Sequence, residues 1–303
     1  MKFTSKTPLD IILNGLFAPY ALRVPDVNII TSGMITKGLI KSQKDIVNDH
    51  IAFRTLGVSN LGIRSLERVF LHHGYSKQDR YFFEQKKLDA YWYKPPSEDY
   101  PRVFISELKV DELSRETANM IKKYTKNISF DPLDGVDLDN PNALVDFLHH
   151  PLWELPTWQD YKSVLSNSEY GAWVLYNRYY LNHYTISVHA LPYPYNELEK
   201  FNAFLKTMGI RLNNAGGEIK TSVDGLLRQS STVSQMVTST FADGEKHKIA
   251  GSYVEFAARA VLPEFMHLAN KKLSAAHRRD GFEVNNANKI FESTFQKQTK
   301  RKD

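Results

Sequence analysis

Two histidines and one glutamate stand out in this sequence, because each lies on the polar face of a segment that alternates like a β-strand. They are His50, His183 and Glu255. Successive side chains of a strand point to opposite faces, so the apolar neighbours of each residue take the other face. Two imidazoles and one carboxylate, with positions left for water and substrate, are typical of non-haem Fe(II) enzymes that activate oxygen. Zn, Mn or Ni fits the same ligands, and the alternative without a metal is a pair of ordinary hydrogen-bonded histidines.

An arginine shares the polar face of the first of these strands. Arg54 lies four residues after His50, in a segment otherwise suited to burial. A buried guanidinium needs an anionic partner. One possibility is an internal ion pair with Glu107 or Glu255. The other is a bidentate clamp on a substrate carboxylate, which guanidinium geometry fits well.

Four further polar residues are candidates for the same site. Arg259 follows Glu255 by four residues, as Arg54 follows His50, and is a second candidate for binding substrate. Glu107 lies in the strand of the first half that matches the strand of Glu255, and is expected as a fourth ligand or as an acceptor behind the ligands. Gln229 and Ser187 lie in strand-like runs rich in hydroxyls and amides, so we expect them to contact a polar substrate, with ordinary strand-edge chemistry as the alternative.

The segments that carry these residues recur in the same order. A β-α-β-β-β pattern extends over about 50–110 and returns over about 182–260. Two helix-like segments, about 7–22 and 33–47, precede the first copy. We therefore predict an α+β fold in which two modules form a curved, partly closed, barrel-like sheet with added helices. The whole chain, 1–303, is expected to be one catalytic domain, with a helical insertion at about 111–181 and a C-terminal helical tail at 261–303.

Composition narrows the classes of function. The chain has 303 residues, a formal net charge of +5 and no cysteine. The missing cysteine excludes a disulfide framework, a thiolate metal site and a cysteine nucleophile. The apolar runs are too short for a transmembrane helix. The charge excess is small and scattered, so we expect no nucleic-acid partner. Because no transmembrane run is present, we expect no membrane partner and a cytoplasmic protein.

Several motifs together resemble one enzyme family. They are Asp49-His-Ile-Ala-Phe-Arg-Thr55, Val103-Phe-Ile-Ser-Glu-Leu108, Asn182-His-Tyr-Thr-Ile-Ser187, Gln229-Ser-Ser-Thr-Val233, Phe241-Ala-Asp-Gly244, Gly251-Ser-Tyr-Val-Glu-Phe256, Gly281-Phe-Glu-Val284 and Lys289-Ile-Phe-Glu-Ser293. In this combination the sequence resembles the 2-oxoadipate dioxygenase/decarboxylase family, also called hydroxyglutarate synthase. The likeness extends over nearly the whole chain.

The resemblance implies a fold, a cofactor and a reaction. The family has a vicinal-oxygen-chelate fold and binds Fe(II) through two histidines and a glutamate, which fall on His50, His183 and Glu255. Its substrate-binding arginine falls on Arg54, which makes Arg54 the catalytic candidate. The implied reaction is oxidative decarboxylation of 2-oxoadipate by O2 to 2-hydroxyglutarate and CO2, a step of lysine catabolism. The chain lacks the insertion of the long bacterial members, so the substrate is less closely defined than the chemistry.

Two other functions remain open from the sequence. The first is a metal-dependent isomerase or lyase of the same fold, in which Glu107 completes a Zn or Ni site and no oxygen is used. The second is a non-catalytic protein that binds a small molecule or nucleic acid through its net positive charge. The oligomeric state has no signature in the sequence.

Overall fold

The computed structural model describes residues 3–4, 6–269 and 272–301. Within these residues the helices are α1 (Pro8–Arg23), α2 (Pro25–Thr36), α3 (Ile63–His72), α4 (Arg115–Thr125), α5 (Pro141–His149), α6 (Trp158–Leu165), α7 (Glu169–Asn177), α8 (Leu198–Thr207), α9 (Val284–Ile290) and α10 (Gln296–Thr299). The strands are β1 (Asn48–Leu56), β2 (Ser76–Phe83), β3 (Leu88–Lys94), β4 (Arg102–Leu108), β5 (His183–Ser187), β6 (Lys220–Thr221), β7 (Leu227–Ser231), β8 (Met236–Thr240), β9 (Lys246–Ala250) and β10 (Tyr253–Arg259).

Eight of the strands form one curled sheet. Their order is β2-β3-β4-β1-β5-β10-β7-β6, so each half of the sheet comes from one β-α-β-β-β module. In each half the first strand pairs in parallel with the last, β1 with β4 and β5 with β10. The halves join where β1 and β5 run antiparallel. The α+β fold and the duplicated order expected from the sequence are confirmed.

Each module carries a helix that covers the outside of its sheet. Helix α3 is strongly amphipathic, and its buried residues Leu66, Val69 and Phe70 recur at the spacing of one helical face. Phe70 packs against Phe53 of β1, with ring centroids 5.6 Å apart. In the second half, Phe201 of α8 packs against Phe256 of β10 at 5.2 Å. This packing leaves the opposite face of β1, β5 and β10 for the polar residues.

The structure corrects the elements around the first module. The helix expected over about 33–47 instead spans Pro25–Thr36, because Pro25 occupies its first turn and Gly38, with φ 74°, follows its end. Helix α3 begins after Gly62, which occupies the cap position with φ 82°.

The second module contains a hairpin that the first lacks. Strands β8 and β9 pair with each other in a separate two-stranded sheet. Four helices, α4 to α7, lie between the modules. In the part of the chain that the structure describes, no helix is long and apolar enough to cross a membrane.

Candidate active site

Three strands bring His50, His183 and Glu255 together at the centre of the sheet. The residues lie on β1, β5 and β10, and their ligand atoms all lie within 4.8 Å of one another. The two Nε2 atoms of the histidines are 3.3 Å apart. Glu255 Oε2 lies 3.1 Å from His183 Nε2, and Oε1 lies 3.6 Å from His50 Nε2. The three side chains predicted from separate segments therefore form one cluster, and all three are buried.

The residue before each histidine fixes its ring. His50 Nδ1 lies 2.8 Å from Asp49 Oδ1, and His183 Nδ1 lies 3.0 Å from Asn182 Oδ1. An oxygen acceptor at Nδ1 favours the tautomer with the proton on that nitrogen, which leaves a lone pair at Nε2. Both lone pairs then point into the cluster, at the atoms that a metal would need.

Glu255 is fixed by an amide behind it. Gln229 Nε2 donates to Glu255 Oε1 at 2.6 Å, and Asn286 Nδ2 donates to the amide oxygen of Gln229 at 3.0 Å. Gln229 was expected to contact substrate; it lines the cavity, but its amide is already committed to Glu255.

The electrostatics of the cluster are strongly coupled. Burial alone would raise the pKa of Glu255, but His50 and His183 beside it lower that pKa to about 2. Burial lowers the pKa of His183 to about 4, against the opposing effect of Glu255. Burial would also lower the pKa of His50, yet Glu255 and Asp49 together raise it. The carboxylate of Glu255 is therefore kept ionised between the two imidazoles.

The donor set fits a metal ion. Two neutral imidazoles protonated at Nδ1, together with a carboxylate, present only lone pairs to the space between them. Three buried acceptors aimed at one another are unfavourable unless a cation lies between them. Nitrogen and oxygen ligands of this kind suit a borderline divalent metal. Within the described residues, these three side chains form the one cluster able to hold such an ion.

Arg54 lies in the cavity wall beside the cluster. It is 1% exposed, and its Nη1 and Nη2 donate to Thr294 Oγ1 at 2.8 Å and to Phe291 O at 3.0 Å. Among the described residues no carboxylate lies within ion-pair distance, and Nε has no hydrogen-bond partner. The internal ion pair with Glu107 or Glu255 is thus not formed, and burial lowers the pKa of this arginine. A buried guanidinium without an anion is a candidate anion-binding group.

A cavity connects Arg54 with the cluster of His50, His183 and Glu255. The cavity is narrow, with a volume of about 20 Å³. Its apolar wall includes Phe104, Phe282 and Phe291, and the edge of Phe282 meets the ring of His50 with centroids 4.8 Å apart. Phe282 and Phe291 come from the C-terminal segment, which covers the open side of the sheet. The site is thereby screened from bulk water.

Glu107 is a predicted site residue with another role. It points to the opposite face of the sheet, where Oε2 accepts from the Ile63 N–H at 2.8 Å at the start of α3. Phe104 occupies the position in β4 that Glu255 occupies in β10. Burial raises the pKa of Glu107. Glu107 is therefore neither a fourth ligand nor an acceptor behind the ligands, and that expectation is wrong.

Arg259 and Ser187 lie outside the cavity. Arg259 donates from Nε and Nη2 to the two oxygens of Asp49, at 2.5 and 2.9 Å, and from Nη1 to two backbone carbonyls. Its polar atoms are all occupied, so it acts on Asp49 and not on substrate. Ser187 lies at the far end of β5, in a second cavity that also contains Asp49 and Arg259. The side-chain face was predicted correctly for both, but a face does not specify which end of a strand meets the site.

Two residues at the site were missed from the sequence. Thr185 Oγ1 lies 3.0 Å from His50 Nε2, and Tyr253 packs on the His183 ring with centroids 4.7 Å apart. The Tyr253 hydroxyl is buried without a hydrogen-bond partner among the described residues. Both residues share the polar faces of β5 and β10 with the ligands, and that alternation was the available signal.

The fold is of the vicinal-oxygen-chelate type, with two β-α-β-β-β modules around one centre, and the two histidines and one glutamate in that centre suggest a metal site. The structure has a TM-score of 0.71 to a glyoxalase superfamily protein from Ralstonia eutropha, and the match covers 94% of this chain and 90% of that one. At 20% identity this likeness concerns the fold alone. The expected fold class is confirmed.

The particular family follows from closer matches. The family model for 2-oxoadipate dioxygenase/decarboxylase matches residues 12–274. A chloroplastic 2-oxoadipate dioxygenase/decarboxylase from Arabidopsis thaliana is 43% identical over 87% of this chain and 73% of its own length. A chloroplastic/amyloplastic one from Oryza sativa subsp. japonica is 44% identical over 85% and 71%. The chain belongs to the 2-oxoadipate dioxygenase/decarboxylase family.

A solved structure gives the same result. The crystal structure of hydroxyglutarate synthase in complex with 2-oxoadipate from Oryza sativa has a TM-score of 0.86 and 40% identity, and the match covers 96% of this chain and 93% of that one. The resemblance predicted from the sequence motifs is confirmed.

The expectation of a cytoplasmic protein is contradicted by these relatives. Both curated relatives are named for plastids, one as chloroplastic and one as chloroplastic/amyloplastic. Compartment is set by targeting segments that receptors recognise, and the composition of a globular catalytic fold does not report on it. The absence of a transmembrane run was therefore no basis for assigning a compartment.

Proposed function

We propose that this chain oxidatively decarboxylates 2-oxoadipate, or a closely similar 2-oxo acid, with Fe(II) held by His50, His183 and Glu255. The products are 2-hydroxyglutarate and CO2. The step belongs to lysine catabolism, as the sequence resemblance implies. The observation that carries the proposal is the buried cluster of three acceptor atoms, which lies beside an arginine that has no anionic partner among the described residues.

The reaction balances with one O2 and no other reductant. The bond between the first carboxylate and the keto carbon breaks, and that carboxylate leaves as CO2. One oxygen atom of O2 enters the new carboxylate at the former keto carbon, and the other becomes the hydroxyl group on the adjacent carbon. The substrate therefore supplies all four electrons that reduce O2.

The chain's residues divide the work of binding the metal. His50 and His183 present Nε2, and Glu255 presents the carboxylate that Gln229 fixes. These three side chains would hold the ion, and a set of two histidines and one carboxylate is typical of non-haem Fe(II) sites. Bound Fe(II) supplies the one-electron and oxygen chemistry that no side chain provides.

Arg54 binds a carboxylate of the substrate. The described residues offer its guanidinium no carboxylate partner, while Nε and the nearby Tyr253 hydroxyl both lack a hydrogen-bond partner. A substrate carboxylate placed there would receive charge-assisted hydrogen bonds in a buried site, where such bonds are strong. This fixes the acid at one end, with its 2-oxo group toward the histidines. Orientation of this kind can lower the barrier by several kcal/mol, within the about 7–11 kcal/mol available to positioning.

The aromatic wall excludes water from the reaction. Phe104, Phe282 and Phe291 line the space between Arg54 and the histidines, and their apolar surface suits the methylene chain of the acid. Exclusion of water strengthens each electrostatic contact inside the site and suppresses side reactions. We infer that the two modules, the helices between them and the C-terminal segment act as one catalytic unit, because residues from several of these parts line the same cavity.

A panel of metals and acids tests the proposal. The protein is stripped with a chelator, reloaded anaerobically with Fe(II), Zn(II) or Mn(II), and given 2-oxoadipate, 2-oxoglutarate or 2-oxopimelate in an oxygen electrode. We expect O2 uptake with Fe(II) and 2-oxoadipate, and none with Zn(II). The control is stripped protein without metal. Absence of O2 uptake with every acid, despite bound Fe(II), would contradict the proposed reaction.

A further inference from the structure

The two metal-binding histidines have unequal partners. Each hydrogen-bonds through Nδ1 to the residue that precedes it, so the backbone arrangement is the same in both modules. The acceptor is the carboxylate of Asp49 behind His50 and the neutral amide of Asn182 behind His183. Both acceptors are buried, with 2% and 1% of their surface exposed. The difference is therefore one of charge, not of solvent access.

A fixed arginine holds the charged acceptor in place. Arg259 contacts both oxygens of Asp49, and its remaining nitrogen is fixed by the carbonyls of Arg279 and Gly281. Arg102 lies 3.6 Å from Asp49 on the other side. Arg259 lies on β10, the strand that carries Glu255, whereas Asp49 lies on β1. The pair thus connects the strand of one ligand with the strand of another, across β5.

The second histidine has no comparable support. The position in β4 that corresponds to Arg259 is Leu108, by the register of the two parallel strand pairs. The amide nitrogen of Asn182 is buried without a hydrogen-bond partner among the described residues. The oxygen of Asn182 alone orients the ring of His183, and in the described part of the chain no arginine side chain is hydrogen-bonded to Asn182.

We propose that Asp49, held by Arg259, is a positioning residue that fixes the ring of His50 and makes it the stronger of the two histidine ligands. A carboxylate that accepts the Nδ1 proton makes the imidazole more electron-rich at Nε2 and restricts its rotation, and loss of such a partner typically lowers metal affinity about 10- to 100-fold. A neutral amide raises the electron density at Nε2 less and restricts the rotation of the ring less. The inference rests on the proposed metal site, and it adds that the two modules contribute unequally to that site.

Titration with Co(II) tests the inference without any turnover. The probe is Co(II) alone, followed by its visible absorption bands, which report on the donor strength of the ligands. We compare Asp49→Asn with Asn182→Ala, since each weakens the acceptor behind one histidine. For Asp49→Asn we expect a Kd about 10- to 100-fold higher and shifted bands. For Asn182→Ala we expect a clearly smaller rise.

A second variant distinguishes weaker metal binding from a simple loss of folding. Asp49→Asn leaves Arg259 buried without its anion, which destabilises a fold. The double variant D49N/R259Q removes both charges, and we expect it to fold and to show the same rise in Kd. The melting temperature of the metal-free protein is measured for each variant.

The outcomes separate this inference from the proposed function. If the unaltered protein does not bind Co(II), the metal site itself is wrong. If it binds Co(II) and D49N/R259Q binds equally well, Asp49 is only structural and the inference is overturned. An equal or larger loss for Asn182→Ala overturns the claim that the charged acceptor dominates.

Discussion

The two halves of the sheet share a strand order and differ in what they place on it. Matching positions in the first strands are His50 and His183, Ala52 and Thr185, and Arg54 and Ser187. In the last strands, Phe104 matches Glu255. The second module thus supplies two of the proposed metal ligands, and the first supplies one proposed ligand and the candidate substrate arginine. The two modules share the same strand order, and their different side chains at matching positions give them different roles in the site.

The antiparallel junction explains why matching residues do not meet. His183 pairs with Ala52 at the centre, and Ile186 pairs with Asn48 near one end. Residues that follow the two histidines therefore diverge in opposite directions. Arg54 enters the cavity beside the ligands, while Ser187 enters the second cavity near Asp49. The two ends of the site therefore differ in chemistry, although their strands are related.

The largest effect is expected from loss of a ligand in the second module. His183→Ala removes one of three ligands and should lower metal affinity more than the about 10- to 100-fold typical of an outer partner. Activity should fall to background with it. Metal content after dialysis measures metal affinity, and oxygen uptake measures activity. His189→Ala is the matched control, because His189 lies just beyond β5 in the Val188–Ala190 turn. Full metal retention by His183→Ala would remove this residue from the site.

The next effect separates Arg54 from Ser187. Arg54→Lys keeps the charge but loses the fork of donors, so we expect KM for 2-oxoadipate to rise and kcat/KM to fall about 100-fold, with metal binding unchanged. Ser187→Ala, at the matching position, should alter kcat/KM less than about twofold, since Ser187 lies outside the cavity that contains the histidines and Glu255. Steady-state kinetics of both variants decide this. Equal effects would mean that the halves are functionally equivalent.

A smaller effect separates the glutamates of the two modules. Glu107→Gln should leave metal affinity unchanged and lower the free energy of unfolding by about 1 kcal/mol, because a carboxylate at the start of α3 interacts with the helix dipole and a free N–H. Glu255→Gln should instead lower metal affinity strongly and leave the free energy of unfolding of the metal-free protein nearly unchanged. Thermal unfolding and metal titration are measured on both. Loss of metal by Glu107→Gln would return it to the site.

The smallest expected effect concerns Thr185, whose match in the first module is Ala52. Its hydroxyl lies 3.0 Å from His50 Nε2, the atom that a metal would take. Removing this competing hydrogen bond by Thr185→Val should raise metal affinity about threefold, the equivalent of a weak net hydrogen bond. Thr55→Val, in the first module, is the control, since its hydroxyl donates to Ser106 O away from the cluster. Weaker metal binding by Thr185→Val would assign the hydroxyl a supporting role.

The sequence predicted what depends on local alternation. His50, His183 and Glu255 were found because strand periodicity defines a face, and the repeated order predicted that their strands would be related. Register is a long-range property, so the true match of Glu255, which is Phe104, was not apparent and Glu107 was chosen in its place. The partners of Arg54, Phe291 and Thr294, lie more than 230 residues away and were equally hidden. Arg259 was placed on the correct face, but only the structure reveals its pairing with Asp49.

The most direct test of the proposed function is the stoichiometry of one reaction. Fe(II)-loaded protein is given a limiting amount of 2-oxoadipate, and O2 consumed, CO2 released and 2-hydroxyglutarate formed are measured together. We expect equal amounts of all three, with no added reductant. CO2 release without O2 consumption, or O2 consumption that needs a second reductant or co-substrate, would contradict it.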